Sequence, residues 1–437
     1  MTRRPPPGSR STWGGTASWT PARVVQPASE EEVVAAVRAA VESGTTLRPV
    51  GSGHSFTPLA ATDGIQLDLS RMTGLLGVDT ADRTATLAAG TPLHAVPALL
   101  EPHGLAMANL GDIDRQTLAG AVATGTHGTG LAFGGLATQV VGMRLVTGRG
   151  EVLDVGRDDP LLPALAPGLG ALGVVTALTL QLVDAFVLRA EERREPLDRV
   201  LDDLPRRCRE HDHVEFYWFP HTRWALTKTN TRLPAGTALD PLPWWRRRLD
   251  EDLLANGVFA LTCRAGAAAP AAVPLVNRAA AVLSGSRTFT DRSHRVFTTR
   301  RAVRFRETEY AVPLDALVPA ARAVVRLVER RRWRVSFPLE FRVAAADERW
   351  LSTAYGRDSG YVAAHRSVHD GEDDYLAEVE RVLVDHGGRP HWGKLHSRTA
   401  ADLAVAYPRF GDVLAVRDRL DPDRVLTNPH LQRVLGA

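Results

Sequence analysis

In the stretch SEEEVVAAVRAAVESG, apolar residues recur four apart, which puts Val33, Val37 and Val41 on one helix face. Ser29 and Glu32 have capping-box spacing, and Gly44 ends the pattern. Strand-length runs follow: TLRPV, IQLDLS, LLGVD and, after an Asp-rich turn, TATLAAG. TPLHAVPALLEPHG predicts a second helix, with Thr91 as N-cap, Pro92 in the first turn and Gly104 past its end. A glycine- and threonine-rich loop at 120–130 then leads into a hairpin, VVGMRLVTGRGEVLDV. The uncharged segment from Leu161 to Val183 carries Pro163, Pro167, Gly168, Gly170 and Gly173 before the β-branched run VVTALTLQLV. It reads as a loop and a buried strand, not as a membrane span. After Asp184, arginine, proline and tryptophan rise, and periodic signals thin over 231–300. Helical patterns return at 314–331 and 372–386. Strands and helices mix without regular βαβ alternation, so the expected class is α+β. Breaks near 186 and 388 divide the chain into 1–186, 187–388 and 389–437.

Composition narrows the function classes. Of 437 residues, 44% are hydrophobic and 24% charged, an ordinary globular balance for two domains. The arginine runs WWRRRLDEDL and VERRRWRV lie beside acidic residues, and 53 basic residues face 50 acidic ones. They read as solvated helix faces, so no nucleic-acid partner is expected. Two cysteines, Cys208 and Cys263, exclude a disulfide framework and a four-cysteine zinc site. The N-terminal MTRRPPPGSRSTWGG has no apolar run after its basic residues. A secretory signal is therefore not expected, and a reducing, cytoplasmic location is.

Four clusters carry candidate chemistry. In PVGSGHSF, Gly51 and Gly53 let the backbone approach a ligand closely, as a phosphate cradle requires, and His54 stands directly after them. A dinucleotide fold would show a third glycine and an immediate helix, but Phe56 and Pro58 stand there instead. In GDIDRQTLAGAVATGTHGTG, the residues Thr117, Gly120, Thr124, Gly125, Thr126, His127 and Gly128 crowd one loop with small donors. Glu340 and Arg342 in PLEFRVAAAD share one face of a strand, a spacing that alone most simply means a structural ion pair. In RPHWGKLH, His391 and His396 lack a further nearby ligand, so no metal site is expected. Lys394, among apolar and aromatic neighbours, has the setting of a desolvated lysine over a cofactor or a substrate hydroxyl.

Taken in order, GSGHSF, NLGDIDRQTLAGAVATGTHGTG, GALGVVTALTL, EFRVAAADERWLSTAYGRD and GGRPHWGKLH resemble the sugar-1,4-lactone and alditol oxidases of the vanillyl-alcohol-oxidase flavoprotein family. The resemblance spans nearly the whole chain. It implies a two-domain α+β FAD-linked oxidase, with a PCMH-type FAD-binding domain from the N-terminal region and C-terminal tail and an α+β substrate (cap) domain between. By this match Val50, Gly51, Ser52, Gly53 and Ser55 bind FAD at its pyrophosphate, and His54 is the covalent attachment point. Thr117, Gly120, Thr124, Gly125, Thr126 and His127 fall on the isoalloxazine and phosphates, and Val175 on the adenine. Glu340, Arg342 and Lys394 are the implied catalytic residues facing the substrate, with Asp112 and His365 bordering it. Gly111 is the implied opening for oxygen. The implied substrate is an aldono-1,4-lactone, as in L-gulonolactone and D-arabinono-1,4-lactone oxidases, with alditol (xylitol or sorbitol) oxidation, or a dehydrogenase using a non-oxygen acceptor, as the alternative. Alditol oxidases typically differ where this chain has Asp112 and Arg115. Molecular oxygen is the expected acceptor, giving hydrogen peroxide.

Overall fold

The computed structural model describes residues 8–244, 259–283, 285–299, 303–371 and 373–437. The first helix, Glu30–Ser43, forms where its pattern predicts. The Ser29 hydroxyl accepts from the Glu32 N–H, the Glu32 carboxylate accepts from the Ala28 N–H, and Gly44 closes the helix at φ +61°. Val33 and Val37 are buried against Leu47, Ile65 and Leu67, which sit on two strands of a three-stranded parallel sheet (Arg23–Val25, Ile65–Asp68, Leu47–Val50). Beside it stands a five-stranded antiparallel sheet, ordered Val152–Val155, Val140–Val146, Val174–Gln181, Thr84–Ala88 and Leu75–Asp79.

The second predicted helix does not form as one piece. It breaks into a 3-10 turn at Leu93–Ala95, a short α-helix at Val96–Leu100 and a second 3-10 turn at Glu101–His103. Pro97 and Pro102 have no N–H to donate and crowd the preceding turn, so continuous i→i−4 bonding is impossible there. Thr91 does not cap this segment either, because its hydroxyl donates back to the Ala88 carbonyl at 2.6 Å. Gly104 does end it, at φ +68°.

Residues 186–390 build an eight-stranded antiparallel sheet. Its order is Arg287–Arg292, Phe186–Pro196, Trp224–Pro234, His213–Trp218, Leu339–Ala344, Ser359–Ser367, Phe305–Pro313 and Arg389–Pro390. Alternation gives it two unlike faces. One face, with Phe216, Trp218, Phe341, Val343 and Val362, packs beneath the helices Leu197–Glu210, Leu317–Arg331 and Tyr375–Asp385. The opposite face carries the charged residues described below.

The C-terminal helices Ala400–Ala406, Phe410–Leu420 and Pro429–Leu435 return to the first region. Leu403, Val413 and Leu431 share one core with Leu145 and Leu178 of the five-stranded sheet. Arg48 pins this return. It is 1% exposed, and its guanidinium donates to the carbonyls of Leu59, Leu169, Gly170 and Leu426. Nearby, the Asn428 side-chain amide donates to the carbonyls of Pro58, Leu59 and Ala61. Cys208 and Cys263 are free and buried. Among the described residues, no helix is long and apolar enough to cross a membrane.

Candidate functional site

A cleft of about 1170 Å3, counting its open mouth, runs between the parallel sheet and the helix Leu118–Ala123. Val50, Gly51, Ser52, Gly53, His54 and Ser55 line one wall, and Thr117, Gly120, Thr124 and Val175 line the other. The glycines are demanded by space. A Cβ on Gly51 would fall 2.4 Å from Thr117 Oγ1, one on Gly120 would fall 2.9 Å from the same atom, and Gly53 adopts φ +71°. Among the described residues, the N–H groups of Ser52, Gly53, His54 and Ser55 take no intramolecular acceptor. A narrow wall of uncommitted backbone donors fits the pyrophosphate of a dinucleotide.

At one end of the cleft stands His54, stacked on Trp13 with ring centroids 5.7 Å apart. Burial, and then the charges of Lys394 and Arg115, lower its pKa, so the imidazole stays neutral. The loop after His54 is sewn to the C-terminal segment. Phe56 N–H donates to the Gly393 carbonyl at 2.6 Å, and the Thr57 hydroxyl donates to the Trp392 carbonyl at 3.1 Å. Lys394 therefore stands at the His54 end of the cleft, with its ammonium 5.2 Å from the centre of the Phe56 ring.

The charged face of the eight-stranded sheet abuts this end. Cross-strand register sets Tyr217, Glu340, Ala363 and Glu309 in one row, Arg342, Tyr361 and Ala311 in the next, and His365 opposite Glu307. Lys228 lies opposite Glu215. Two ionic clusters result. In the first, Arg342 contacts Glu340, donates from Nε to Glu215 at 2.9 Å, and lies 3.5 Å from Asp112. Glu215 also holds Lys228 at 3.2 Å, and the Tyr217 hydroxyl donates to Glu340 at 3.1 Å. Burial works against the Arg342 charge, yet Glu340, Glu215 and Asp112 together hold its pKa well above the usual arginine value.

The second cluster centres on Lys394. Its ammonium lies 2.5 Å from Glu307 Oε2 and 4.0 Å from Glu309. Burial opposes this charge too, but the two carboxylates raise the lysine's pKa above its ordinary value. Glu309 Oε1 meets His127 Nε2 at 3.2 Å, and His127 stacks on Tyr361 at 3.7 Å. His391 completes a buried trio with His127 and Glu309 whose donor atoms lie within 4.8 Å of one another. Hydrogen bonds already engage this trio. Gly393 N–H donates to His391 Nδ1, His127 Nε2 meets Glu309, and the Lys394 ammonium lies 4.0 Å from Glu309. Burial lowers the His391 pKa to about 4.

Thus ten of the residues singled out in the sequence for the cofactor line the cleft, while Gly125, Thr126 and His127 do not. Thr126 bonds to Gln116 at 3.0 Å, and His127 turns toward the sheet. Glu340, Arg342, Asp112 and Lys394 gather at the junction. His365 does not border it. The ring is 3% exposed, lying behind Glu307 against Phe305 and Phe337. His396, five residues from His391, packs elsewhere, against Trp392 and His430. Gly111 proves to be crowded, since a Cβ there would lie 3.2 Å from the His127 carbonyl oxygen and 3.3 Å from Thr126 Cγ2. Sequence reading missed Glu215, Glu307, Glu309 and Lys228. The signal was present in FRETEYAVP, where two glutamates two apart share one strand face.

Comparison with known proteins places this geometry. Residues 178–434 match the family model for D-arabinono-1,4-lactone oxidase, and residues 21–156 match an FAD-binding domain. An L-gulono-1,4-lactone dehydrogenase of Mycobacterium tuberculosis is 41% identical, over 98% of this chain and 99% of its own. The L-gulonolactone oxidase of Bos taurus is 31% identical, over 97% of each chain. An alditol oxidase of a Streptomyces species is 31% identical, over 98% and 99%. Among solved structures, cholesterol oxidase from Brevibacterium sterolicum superposes with a TM-score of 0.83 at 17% identity, covering 98% of this chain and 96% of that one, a likeness of fold. With a glycine-walled cleft in its FAD-binding domain and a buried Glu–Arg–Lys junction at the cleft's end, the chain belongs to the D-arabinono-1,4-lactone oxidase family of FAD-dependent oxidoreductases.

Proposed function

We propose that the protein oxidises a CH–OH group of an aldono-1,4-lactone, with FAD as its cofactor and oxygen as final acceptor, giving hydrogen peroxide. The observation that carries this reading is the pair of buried cations, Lys394, whose charge reaches His54, and Arg342, which has Asp112 beside it. Bound FAD supplies the two-electron acceptor for the substrate's hydride. The chain does the rest. Val50 to Ser55 and Thr117 to Thr124 hold the cofactor's pyrophosphate side. Arg342 and Lys394 hold substrate oxygens and offset the negative charge that develops as the C–H bond breaks. Glu340 accepts from a substrate hydroxyl and keeps Arg342 oriented through their contact.

His54 is the covalent attachment point in this reading. A neutral imidazole keeps the lone pair that attachment needs, and burial at the cleft end supplies that state. Acid-precipitated protein is expected to stay yellow on the peptide containing His54, and release of all flavin would overturn the link. Anaerobic bleaching of the flavin by a panel of lactones, set against a panel of alditols, tests the substrate. Faster bleaching by alditols would reverse the assignment. The 41% identical relative named a dehydrogenase favours a second reading, transfer to an acceptor other than oxygen. Gly111 does not decide between them, because close packing against the His127 carbonyl and Thr126 already favours a small residue there. Mixing reduced protein with aerated buffer does decide, since slow reoxidation means a dehydrogenase. Two free, buried cysteines fit a reducing cytoplasm.

A further inference from the structure

His54 lines the cleft, yet among the described residues no hydrogen bond engages its ring. Other histidines near the junction are tied down. His127 Nδ1 lies 2.8 Å from the Gly128 carbonyl, and His365 Nδ1 lies 3.0 Å from the Pro338 carbonyl. Nothing polar therefore fixes how His54 turns about its Cβ–Cγ bond, and that torsion is broad for an imidazole. Packing supplies the restraint instead. Trp13 lies against the ring with centroids 5.7 Å apart and planes 24° from parallel, an offset stack that holds the imidazole to one plane. Trp13 is not among the residues that line the cleft, so it acts on the cleft through His54. Its own seat is firm. The indole meets Phe305 edge-on at 5.2 Å and Phe56 at 6.3 Å. The Trp13 N–H donates to the Gly53 carbonyl at 2.7 Å, and the Thr16 hydroxyl donates to the Phe56 carbonyl at 2.6 Å. Gly14 is pressed so closely that a Cβ would fall 2.8 Å from the Phe305 carbonyl oxygen and 2.9 Å from the Phe56 ring. The short hairpin of Arg10–Ser11 and Ser18–Trp19 thus straps the His54 turn to the strand Phe305–Pro313.

We propose that Trp13 is the positioning residue for covalent attachment of FAD to His54, its indole fixing the plane in which the imidazole presents a ring nitrogen to the cleft. The inference rests on the attachment reading above. The new bond forms from an imidazole lone pair to a methyl carbon of the flavin ring. One C–H proton of that methyl and the imidazole N–H proton leave, and two electrons enter the flavin. Oxygen takes up both protons and both electrons as hydrogen peroxide. The lone pair must lie along the line of attack, so freedom about a single torsion is felt directly in the rate. A flat neighbour restricts that torsion, and an aliphatic one of similar bulk does not. Binding of FAD before attachment draws on other groups, the backbone of Gly51 to Ser55 and the wall at Thr117 to Thr124. The bond from Trp13 to Gly53 is a backbone bond, which a change of side chain at position 13 leaves in place. Binding and attachment are therefore separable steps.

The test follows the two steps separately. Full-length protein from flavin-starved cells is mixed with FAD in aerated buffer. Flavin retained after acid precipitation gives the rate of attachment, and early quenching of flavin fluorescence gives the affinity. Trp13→Ala should bind FAD within about threefold of the wild-type affinity but attach it about tenfold more slowly at saturating FAD. Trp13→Phe, which keeps a flat face, should restore the rate to within about threefold of wild type. Trp13→Leu, which keeps bulk alone, should stay as slow as the alanine variant. Attachment at the wild-type rate in the alanine or leucine variant would overturn the proposal, and so would equal rates for leucine and phenylalanine. A defect that vanishes at saturating FAD would overturn it too, since the indole would then only prop up the cradle. If Trp13→Ala does not fold, the phenylalanine and leucine variants decide by the ratio of their rates. Wild-type protein that binds FAD yet retains none after acid would refute the attachment reading, and this proposal with it. That result is distinct from a wild type that attaches FAD while Trp13→Ala keeps pace, which refutes the role of Trp13 alone.

Discussion

The FAD cleft and the charged face of the eight-stranded sheet meet at Lys394, yet they are built on opposite terms. The cleft recognises with backbone and with absence, since Gly51 and Gly120 leave room where any side chain would strike Thr117. The sheet face recognises with side chains, and each charge there is held by another, on the same strand, across a strand pair or from the segment at Lys394. The cleft can lose one hydrogen bond to water at little cost. The sheet face cannot, because a buried charge left alone costs several kcal/mol. Damage to the cleft should therefore empty it of cofactor, and damage to the sheet face should unfold the protein or stop its chemistry.

The largest expected effect is on the sheet. Glu215→Ala leaves Lys228 without its carboxylate and Arg342 short of one, both buried, and should cost about 3–5 kcal/mol in chemical denaturation. Glu215→Leu combined with Lys228→Met should recover much of this loss. An equal loss in the double variant would mean that the ion pair is not what the site depends on. In the cleft, Gly51→Ala should instead lower FAD content sharply while costing about 1–3 kcal/mol from overpacking. FAD content at the wild-type level would show that this wall is not the cradle.

Acid probes the join between the two regions. Burial holds His391 near pKa 4 and His396 and His430 near 3, below the ordinary 6.5. The unfolded chain therefore binds more protons than the folded one as pH falls below 6.5, and stability drops over that window. Each such histidine contributes about 1.4 kcal/mol per pH unit. His396→Leu should gain about 2 kcal/mol at pH 5 relative to wild type, and denaturation curves at pH 5 and pH 7 would show whether the gain is confined to acid. Smallest of all, Gly111→Ala should press its methyl on the His127 carbonyl and Thr126 and cost about 1 kcal/mol. Slower reoxidation by oxygen without that loss of stability would restore the reading of Gly111 as an opening.

The two regions also differ in how far the sequence exposes them. A glycine turn and a threonine-rich loop are local signals, and GSGHS and Thr117 to Thr124 stand on facing walls of one cleft. The α+β class follows from local patterns, and the FAD-binding domain from the resemblance that the motifs carry when taken in order. The E-T-E of Glu307 to Glu309 is local too, but an alternating strand reads the same whether its polar face meets water or another domain. The loop at 127–130, which sends the Thr129 hydroxyl to the Val214 carbonyl and the Gly130 N–H to the Val343 carbonyl, and the segment at 391–395, whose His391 and Leu395 N–H groups donate to the Glu309 and Glu307 carbonyls, turn that face inward. Such a contact joins residues too far apart in sequence for periodicity to register. The broken helix at 93–103 is the opposite case, since both prolines that divide it are plain in the sequence and were outweighed there by the apolar spacing.

Arg48 bears on how the protein comes into being. Its guanidinium draws acceptors from residues 59, 169, 170 and 426, so one early side chain waits for a carbonyl 378 residues further along the chain. Until Leu426 and Asn428 emerge, the guanidinium lacks one carbonyl and the carbonyls of the turn at 58–61 lack the amide that holds them. A nascent chain thus carries the whole glycine wall hundreds of residues before that wall is braced, and the cofactor site is complete only once the segment around Leu426 and Asn428 has emerged.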